Sequence, residues 1–278
     1  MILITGSKGQ LGTECCELLK EKGMAFFATD FQDLDITDQG RVWEVFEAVK
    51  PKVVFHTAAY TAVDKAEREG QELNYRVNVE GTKHIAEAAE AVGAALVYIS
   101  TDYVFDGVRK EGGLLPHDPP APLNEYGRSK WLGEEIVAAT CSHYYIIRTS
   151  WVFGRYGANF VHTMLRLAET HSELKVVVDQ IGQPTWTRTL AEFMLHLVTA
   201  ETESGIYHLS NKGPCSWYEF ALEILREKNV KVLPVASHEF PQIATRPPYS
   251  VLNLAKAEET GFHIPSWQDA LNEMLRRD

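Results

Sequence analysis

The stretch ILITGSKGQLG, residues 2–12, decides the fold of this chain. Its apolar beginning predicts a short strand, and three glycines follow in the spacing GxxGxxG, at Gly6, Gly9 and Gly12. Glycines at such a turn allow the backbone to approach a pyrophosphate, and the start of the next helix offers free N–H groups and the positive end of its dipole. Glycine triplets also occur in ordinary turns, but this position between a first strand and a first helix predicts a dinucleotide-binding loop.

Strand-like and helix-like segments alternate along the first half of the chain. Strands are predicted at residues 2–5, 24–29, 53–57, 96–100 and 144–148, and helices at 10–22, 40–49, 77–92 and 125–140. This alternation predicts βαβ units around a parallel sheet with helices on both faces. Beyond residue 151 the segments are shorter, with strands predicted at 175–178 and 206–209, helices at 159–170, 187–199, 217–228 and 266–277, and an extended lobe at 234–248.

These segments predict a doubly wound α/β fold of the Rossmann type. Residues 1–150 would form the dinucleotide-binding domain. Residues 151–278 would form a smaller C-terminal α/β lobe that mainly binds the substrate. Because no linker marks a clean boundary in the sequence, we expect the lobe to be partly interleaved with the first domain.

The composition excludes several functional classes. The chain has 278 residues, of which 45% are hydrophobic, and its net charge is −11 at pH 7. An acidic chain without a basic patch is unsuited to nucleic acid, and no apolar run reaches the roughly 18 residues of a membrane span. No secretory signal precedes the glycine loop, and the spacing of the four cysteines fits no zinc or redox motif. We therefore expect a cytoplasmic protein with reduced thiols that binds neither nucleic acid nor membrane.

Two charged residues give opposite indications about the cofactor. Asp30 follows the second predicted strand, 18 positions after Gly12, where a carboxylate accepts hydrogen bonds from an adenosine ribose and favours NADH. Lys8 lies in the glycine loop, where a cation pairs with the 2′-phosphate of NADPH. Each residue is equally well explained as a solvated surface charge. The sequence therefore leaves the choice between NADPH and NADH open.

A tyrosine and a lysine on one predicted helix form the second motif. Tyr126 and Lys130 are four residues apart, so their side chains share one helical face. A nearby cation favours the phenolate and lowers the pKa of a tyrosine, which suits the residue to acid–base catalysis. Thr101 follows the fourth predicted strand, at the sheet edge where ligands bind, and its hydroxyl can bond a substrate carbonyl. Each feature alone occurs by chance, but the three together with the glycine loop predict the site of an oxidoreductase.

Further motifs extend through nearly the whole chain. They are AAYTAVDKAE at residues 58–67, STDYVF at 100–105, PLNEYG at 122–127, RTSWVF at 148–153, DQIGQPT at 179–185 and RP at 246–247. With the GxxGxxG loop and the YxxxK helix, they make the chain resemble the extended short-chain dehydrogenases, and among those the dTDP-4-dehydrorhamnose reductase family.

The resemblance implies a role for each matched position. The catalytic residues would be Thr101, Tyr126 and Lys130. The cofactor cleft would contain Gly6, Lys8, Gly9, Gln10, Leu11, Gly12, Asp30, Asp35, Ile36, Ala58, Ala59 and Tyr60, together with Tyr126 and Lys130. The substrate contacts would be Thr101, Asp102, Trp151 and Arg246, the last of them on the nucleotide phosphates.

The resemblance also implies a reaction. Hydride transfer from NADPH or NADH would reduce the C4 keto group of dTDP-4-dehydro-L-rhamnose to give dTDP-L-rhamnose, a precursor of cell-surface polysaccharide, with Tyr126 as the proton donor. The alternatives are a reductase or epimerase of another nucleotide sugar, and a non-catalytic regulatory subunit that binds nucleotide. The intact set of Thr101, Tyr126 and Lys130 favours an enzyme.

One departure from the family concerns a metal ion. Some members form a homodimer through a magnesium ion that glutamates hold. This chain keeps Glu14, but the later matching positions are Arg188 and Arg277. Because two cationic side chains cannot bind a hard cation, we expect no metal site, and a monomer or weak homodimer that is not linked by metal.

Overall fold

The computed structural model describes residues 1–240 and 242–277, and of Arg277 only the backbone. Its strands are β1 Ile2–Thr5, β2 Phe26–Thr29, β3 Val53–His56, β4 Ala95–Thr101, β5 Tyr144–Thr149, β6 Val152–Phe153, β7 Glu173–Val177, β8 Ile181–Gly182, β9 Thr185–Trp186, β10 Gly205–His208, β11 Cys215–Ser216 and β12 Lys231–Val235. Its helices are α1 Gln10–Glu21, α2 Gln39–Val49, α3 Val63–Ala66, α4 Gln71–Tyr75, α5 Thr82–Ala91, α6 Glu125–Thr140, α7 Phe160–Ala168, α8 Thr187–Thr199, α9 Trp217–Ile224, α10 Ala255–Glu259 and α11 Trp267–Arg277. In this described part of the chain, no helix is both long enough and apolar enough to span a bilayer.

Six parallel strands form the central sheet in the order β10-β5-β4-β3-β1-β2. Successive residues of β1 point to opposite faces, as the period of two in a strand requires. Ile2 and Ile4 join a core with Leu18 of α1 and Phe193 of α8, whereas Leu3 joins a second core on the other face with residues of α2, α5 and α6. The predicted doubly wound Rossmann fold is therefore confirmed.

Two predicted helices differ clearly from the observed structure. The helix expected at residues 217–228 ends at Ile224, and the helix expected at 77–92 has a different beginning. In place of the single helix expected at residues 77–92, the chain forms three consecutive helical segments. Helix α4 begins at Gln71, the π-helical segment Arg76–Gly81 follows it, and α5 follows that segment. The apolar pattern that guided the prediction begins only at Val77, after the polar residues of α4. Buried Asn78 within the π segment makes two hydrogen bonds to the backbone of Tyr60. Its Oδ1 accepts from the Tyr60 N–H at 2.8 Å, and its Nδ2 donates to the Tyr60 carbonyl oxygen at 3.0 Å.

The second half of the chain contributes to both parts of the molecule. Helix α8 packs on α1, and β10 pairs with β5 at the edge of the central sheet. The remaining elements β6, β7, β9, β11, β12, α7, α9 and α11 contribute to a separate apolar core that contains Phe153, Phe220 and Trp267. The segment 187–209 therefore lies with the sheet, as does α10, whose buried Ala257 joins the core that contains Leu18 and Phe193. Most of the other elements after residue 151 form the lobe.

Candidate active site

A cleft of about 680 Å³ opens at the carboxyl ends of the central strands. Its wall combines the glycine loop, Thr101, Tyr126 and Lys130 from the sheet side with Trp151 from the lobe side. A second cavity of about 270 Å³ lies beside it and is lined by Asp30, Asp35, Ile36 and Tyr60 among others. Because Gly9, Ala58 and Ala59 line both cavities, the two form one elongated groove. The sequence predicted all of these residues at a site, and the structure brings them together along this groove.

The glycine loop allows unusually close backbone approaches. Gly6 has a φ of 68°, and a Cβ there would lie 2.7 Å from the backbone of Ala58. A Cβ on Gly12 would lie 2.1 Å from the Gly6 carbonyl oxygen, so neither position accepts a side chain. Helix α1 begins at Gln10 with Gly9 as its N-cap, which has no side chain to satisfy the first N–H groups of the helix. The loop thus has the geometry and the dipole that bind a phosphate.

The tyrosine–lysine pair sits at the start of α6. Asn124 caps this helix by accepting a hydrogen bond from the Gly127 N–H at 2.8 Å. Gly127 also lets the helix pack on the turn after β4, since a Cβ there would meet the Tyr103 carbonyl oxygen at 2.1 Å. This contact brings the Tyr126 phenol within hydrogen-bonding reach of the Thr101 hydroxyl, which itself donates to Asp102 Oδ1 at 2.9 Å.

Burial dominates the acid–base properties of the site. It raises the pKa of Tyr126, an effect that the Asp102 charge increases and the Thr101 hydroxyl opposes. It also lowers the pKa of Lys130 to about 7, against the opposing charge of Glu134. Lys130 is not among the groups that shift the Tyr126 pKa in this structure, and the predicted lowering of that pKa by Lys130 stays a prediction. The phenol is held in its neutral form, which is the form that can donate a proton.

Asp102 is a buried carboxylate in the wall of the cleft. Its Oδ1 accepts from Thr101, while Oδ2 has no hydrogen-bond partner among the described residues. Burial raises its pKa to about 6, against the effect of the Ser250 and Thr101 hydroxyls. The Ser250 and Thr101 hydroxyls are therefore the donors from within the chain that stabilise the charged form of this carboxyl group.

The lobe side of the cleft is aromatic. Trp151 stacks on Trp217 with ring centroids 3.6 Å apart and an angle of 10° between the ring planes. A Cβ on Gly182 would lie 2.5 Å from the Trp151 indole, so that ring is also packed against the β8 backbone. Trp151 has a φ of 48°, a left-handed conformation that a bulky residue adopts only when its surroundings enforce it. The sequence predicted Trp151 but not Trp217, because the two lie far apart in the chain and Trp217 belongs to none of the motifs.

Arg246 lies apart from the groove. Its guanidinium makes a bidentate ion pair with Asp64, with both N–O distances 2.9 Å, and also donates to the Ala244 carbonyl oxygen. It lines neither the large nor the small cavity. The arginine thus fastens the C-terminal segment to α3 beside the site, and the predicted role on nucleotide phosphates stays a prediction.

Arg188 occupies an acidic cluster on α1 and α8. Its guanidinium donates to Glu21 at 3.0 and 2.5 Å and to Glu192 at 2.7 Å, and lies 3.6 Å from Glu14. The guanidinium therefore contacts all three carboxylates, and its single positive charge offsets one of their three negative charges. The side chain of Arg277, the other position considered for a metal, lies outside the described residues.

Lys8 and Asp30 point to different parts of the groove. Exposed Lys8 lines the large cavity, whereas half-exposed Asp30 lines the small one beside Asp35 and Ile36. Because the two charged residues line different cavities, their positions do not decide between NADPH and NADH.

The sheet, the glycine loop and the threonine–tyrosine–lysine set define a short-chain dehydrogenase of the extended kind. The chain belongs to the family described as the RmlD substrate binding domain, whose model matches residues 1–278. It is 44% identical over 280 residues to the spore coat polysaccharide biosynthesis protein SpsK of Bacillus subtilis, covering 99% of this chain and 96% of that protein. It is 40% identical to the dTDP-4-dehydrorhamnose reductase of Aggregatibacter actinomycetemcomitans, covering 98% of this chain and 97% of that one. A crystal structure of the Bacillus anthracis dTDP-4-dehydrorhamnose reductase in complex with NADP superposes with a TM-score of 0.96 at 42% identity, covering 100% and 99% of the two chains.

Proposed function

We propose that this chain is a dTDP-4-dehydrorhamnose reductase, which reduces the C4 keto group of dTDP-4-dehydro-L-rhamnose to give dTDP-L-rhamnose. The observation that carries the proposal is the convergence of Thr101, Tyr126 and Lys130 beside the glycine loop in one cleft. The names of the relatives with 40% and 42% identity support the same reaction. The similarity to a spore coat polysaccharide protein supports a role in making a polysaccharide precursor.

NADPH or NADH fits the groove. The close backbone packing at Gly6 and Gly12 gives the loop its tight shape, and the uncapped start of α1 suits the pyrophosphate. In this proposal the small cavity with Asp30, Asp35, Ile36 and Tyr60 holds the adenosine half. The rest of the glycine loop and Ala58–Ala59 line the path to the large cavity, where Lys130 contacts the nicotinamide ribose. When bound, the reduced nicotinamide supplies the hydride.

The residues of the chain then supply the proton and the positioning. The neutral Tyr126 phenol donates its proton to the C4 oxygen as the hydride reaches C4, so the keto group becomes a hydroxyl. Thr101 orients the carbonyl from the same side. Asp102, which lines the cleft beside Thr101, accepts a hydrogen bond from a sugar hydroxyl. Trp151 packs against the sugar at the opposite wall.

The experiment adds dTDP-4-dehydro-L-rhamnose and reduced cofactor to the purified protein and follows the loss of reduced-nicotinamide absorbance. We expect stoichiometric oxidation of cofactor and formation of dTDP-L-rhamnose. An epimerase would interconvert sugars without net cofactor consumption, and a regulatory subunit would bind the nucleotide without oxidising it. Either result would contradict the proposal.

The location and the assembly state belong to the same proposal. A reaction that consumes reduced nicotinamide fits the cytoplasm. Because the Arg188 guanidinium already lies among Glu14, Glu21 and Glu192, we propose a monomer or weak homodimer that needs no metal.

A further inference from the structure

Lys130 is the most buried cation beside the cleft. Its residue is 3% exposed, and no carboxylate in the described part of the chain lies within ion-pair distance of its Nζ. The closest favourable contact is instead aromatic, because Nζ lies 4.0 Å from the centroid of the Tyr98 ring. A cation over the face of an aromatic ring is attracted by the ring quadrupole, and more strongly where water is excluded.

The Tyr98 ring is fixed in place beneath α6. Tyr98 lies in the middle of β4, is fully buried, and donates a hydrogen bond from its hydroxyl to the Lys130 carbonyl oxygen at 3.3 Å. Gly133 makes this packing possible, since a Cβ there would lie 2.2 Å from the Tyr98 hydroxyl oxygen. Strand β4 thus fixes the position of the Tyr98 ring, and helix α6 fixes the position of the Lys130 ammonium over it.

The other ionisable groups around Lys130 offer little competing charge. Burial lowers the pKa of His56 on β3 to about 3, so its ring is neutral, and the Tyr126 phenol on α6 is neutral as well. Glu134, one turn further along α6, is engaged by Arg148 of β5 at 2.9 and 2.6 Å and also accepts from Ser100. The charge of Glu134 raises the pKa of Lys130, but Nζ makes no ion pair with it because Arg148 holds both carboxylate oxygens.

We propose that Tyr98 is a positioning residue, whose ring holds Lys130 in its ammonium form and aims it at the cleft. Its effect on turnover rests on the proposed function, whereas its effect on the ionisation of Lys130 does not. Because burial already lowers the pKa of Lys130 to about 7, the contribution of the ring decides how much of the lysine is charged near neutral pH.

The direct test is a titration of Lys130 by NMR in protein with labelled lysine, with the resonance assigned by its loss in Lys130→Met. Tyr98→Phe keeps the ring, and 3,4,5-trifluorophenylalanine at position 98 keeps its shape while weakening the attraction for a cation. We expect Tyr98→Phe to titrate like the unmodified protein. The trifluoro variant should titrate at a pH lower by about one unit, the size of one buried cation–π contact.

Tyr98→Met removes the ring altogether and serves as an independent variant should the fluorinated protein fold poorly. It should also lower the titration midpoint. Identical midpoints in the unmodified, trifluoro and Met proteins would overturn the proposal. So would a fall in Tyr98→Phe as large as in Tyr98→Met, because that would assign the effect to the hydroxyl.

Activity gives the second readout. The alkaline decline of kcat with dTDP-4-dehydro-L-rhamnose should move to lower pH in the trifluoro and Met variants and stay in place in Tyr98→Phe. An unmodified protein that shows no turnover would refute the proposed function, and the NMR titration would still decide the role of Tyr98.

Discussion

The two walls of the cleft are built by different means. The sheet-side wall consists of strand ends and helix starts, and its side chains are held by buried hydrogen bonds and by glycines that allow backbone contact, such as Gly6 and Gly127. The lobe-side wall is held by an aromatic stack, Trp151 on Trp217, and the neighbouring C-terminal segment is fastened by the Asp64–Arg246 ion pair. The first wall fits a constant partner, the cofactor and the reacting carbonyl.

Tyr126→Phe is the most direct test of the catalytic function of the sheet-side wall. The change removes one oxygen and keeps the ring, so the cleft stays formed while the proton donor is lost. General acid–base catalysis supplies about 10²–10⁴ in rate, and we expect kcat to fall by that factor. The dissociation constant for the cofactor, measured by fluorescence titration, should change little. A variant with near-full turnover would remove Tyr126 from the mechanism.

Glu134→Gln tests the buried ion pair between Glu134 and Arg148, which supports the same sheet-side wall. Glu134 and Arg148 are each 2% exposed and make a bidentate pair. Removing one charge leaves the other buried without compensation, which costs about 3–5 kcal/mol. Urea unfolding should show this loss. The control is Glu44→Gln, which breaks an exposed pair with Arg41 and should cost at most about 0.5 kcal/mol. Equal losses in the two variants would mean that the buried pair contributes no more than a surface one.

Acid should weaken the sheet through its buried histidines. Burial lowers the pKa of His56 and of His208 to about 3. Since the unfolded chain takes up these protons below about pH 6.5 and the folded chain does not, stability falls as the pH falls through this window. Each histidine should account for about 2 kcal/mol between pH 7 and pH 5.

His208→Gln isolates this effect. His208 Nδ1 lies 3.0 Å from the Leu114 carbonyl oxygen, a contact that a glutamine amide can replace without titrating. The slope of unfolding free energy against pH should become shallower in this variant. The exposed His263→Gln should leave the slope as it is. Unchanged slopes in both variants would show that His208 does not drive the acid sensitivity.

Trp217→Ala is the corresponding test of the lobe-side wall. A stacked aromatic pair contributes about 0.5–1.5 kcal/mol beyond the area that it buries, and here it also supports the left-handed backbone of Trp151. We expect kcat/KM for the nucleotide sugar to fall by roughly tenfold, with cofactor affinity unchanged. Trp217→Phe keeps an aromatic face and should recover most of the loss. A weaker affinity for cofactor in Trp217→Ala would show that the two walls are not independent.

The sequence was informative about one wall and much less so about the other, for a physical reason. The glycine loop, Thr101, Tyr126 and Lys130 lie at strand ends and on one helical face, and strand and helix periodicity alone brings such positions together. Trp217 reaches the cleft, and Ser250 reaches Asp102, only through packing between distant segments, which no local pattern encodes. Glu134 is an intermediate case. Its i+4 spacing from Lys130 was visible in the sequence, but its partner Arg148 lies on another strand and its burial depends on the fold.

The smallest effect is expected at Lys8. This residue lines the large cavity and not the small cavity proposed for the adenosine half, so its side chain must extend across the glycine loop to contact the 2′-phosphate of NADPH. Lys8 is exposed, so its pairing with a phosphate is screened by water and should contribute at most about 1 kcal/mol. Lys8→Ala should therefore raise the dissociation constant for NADPH by up to roughly fivefold and leave that for NADH nearly unchanged. Asp30→Asn is the matched control from the small cavity, and it should weaken NADH more than NADPH because it loses a carboxylate acceptor for the ribose hydroxyls. Isothermal titration with both cofactors measures all four changes. Equal losses of NADPH and NADH in Lys8→Ala would show that the lysine does not recognise the 2′-phosphate, and the selectivity of the sheet-side wall would then lie with Asp30 and the small cavity alone.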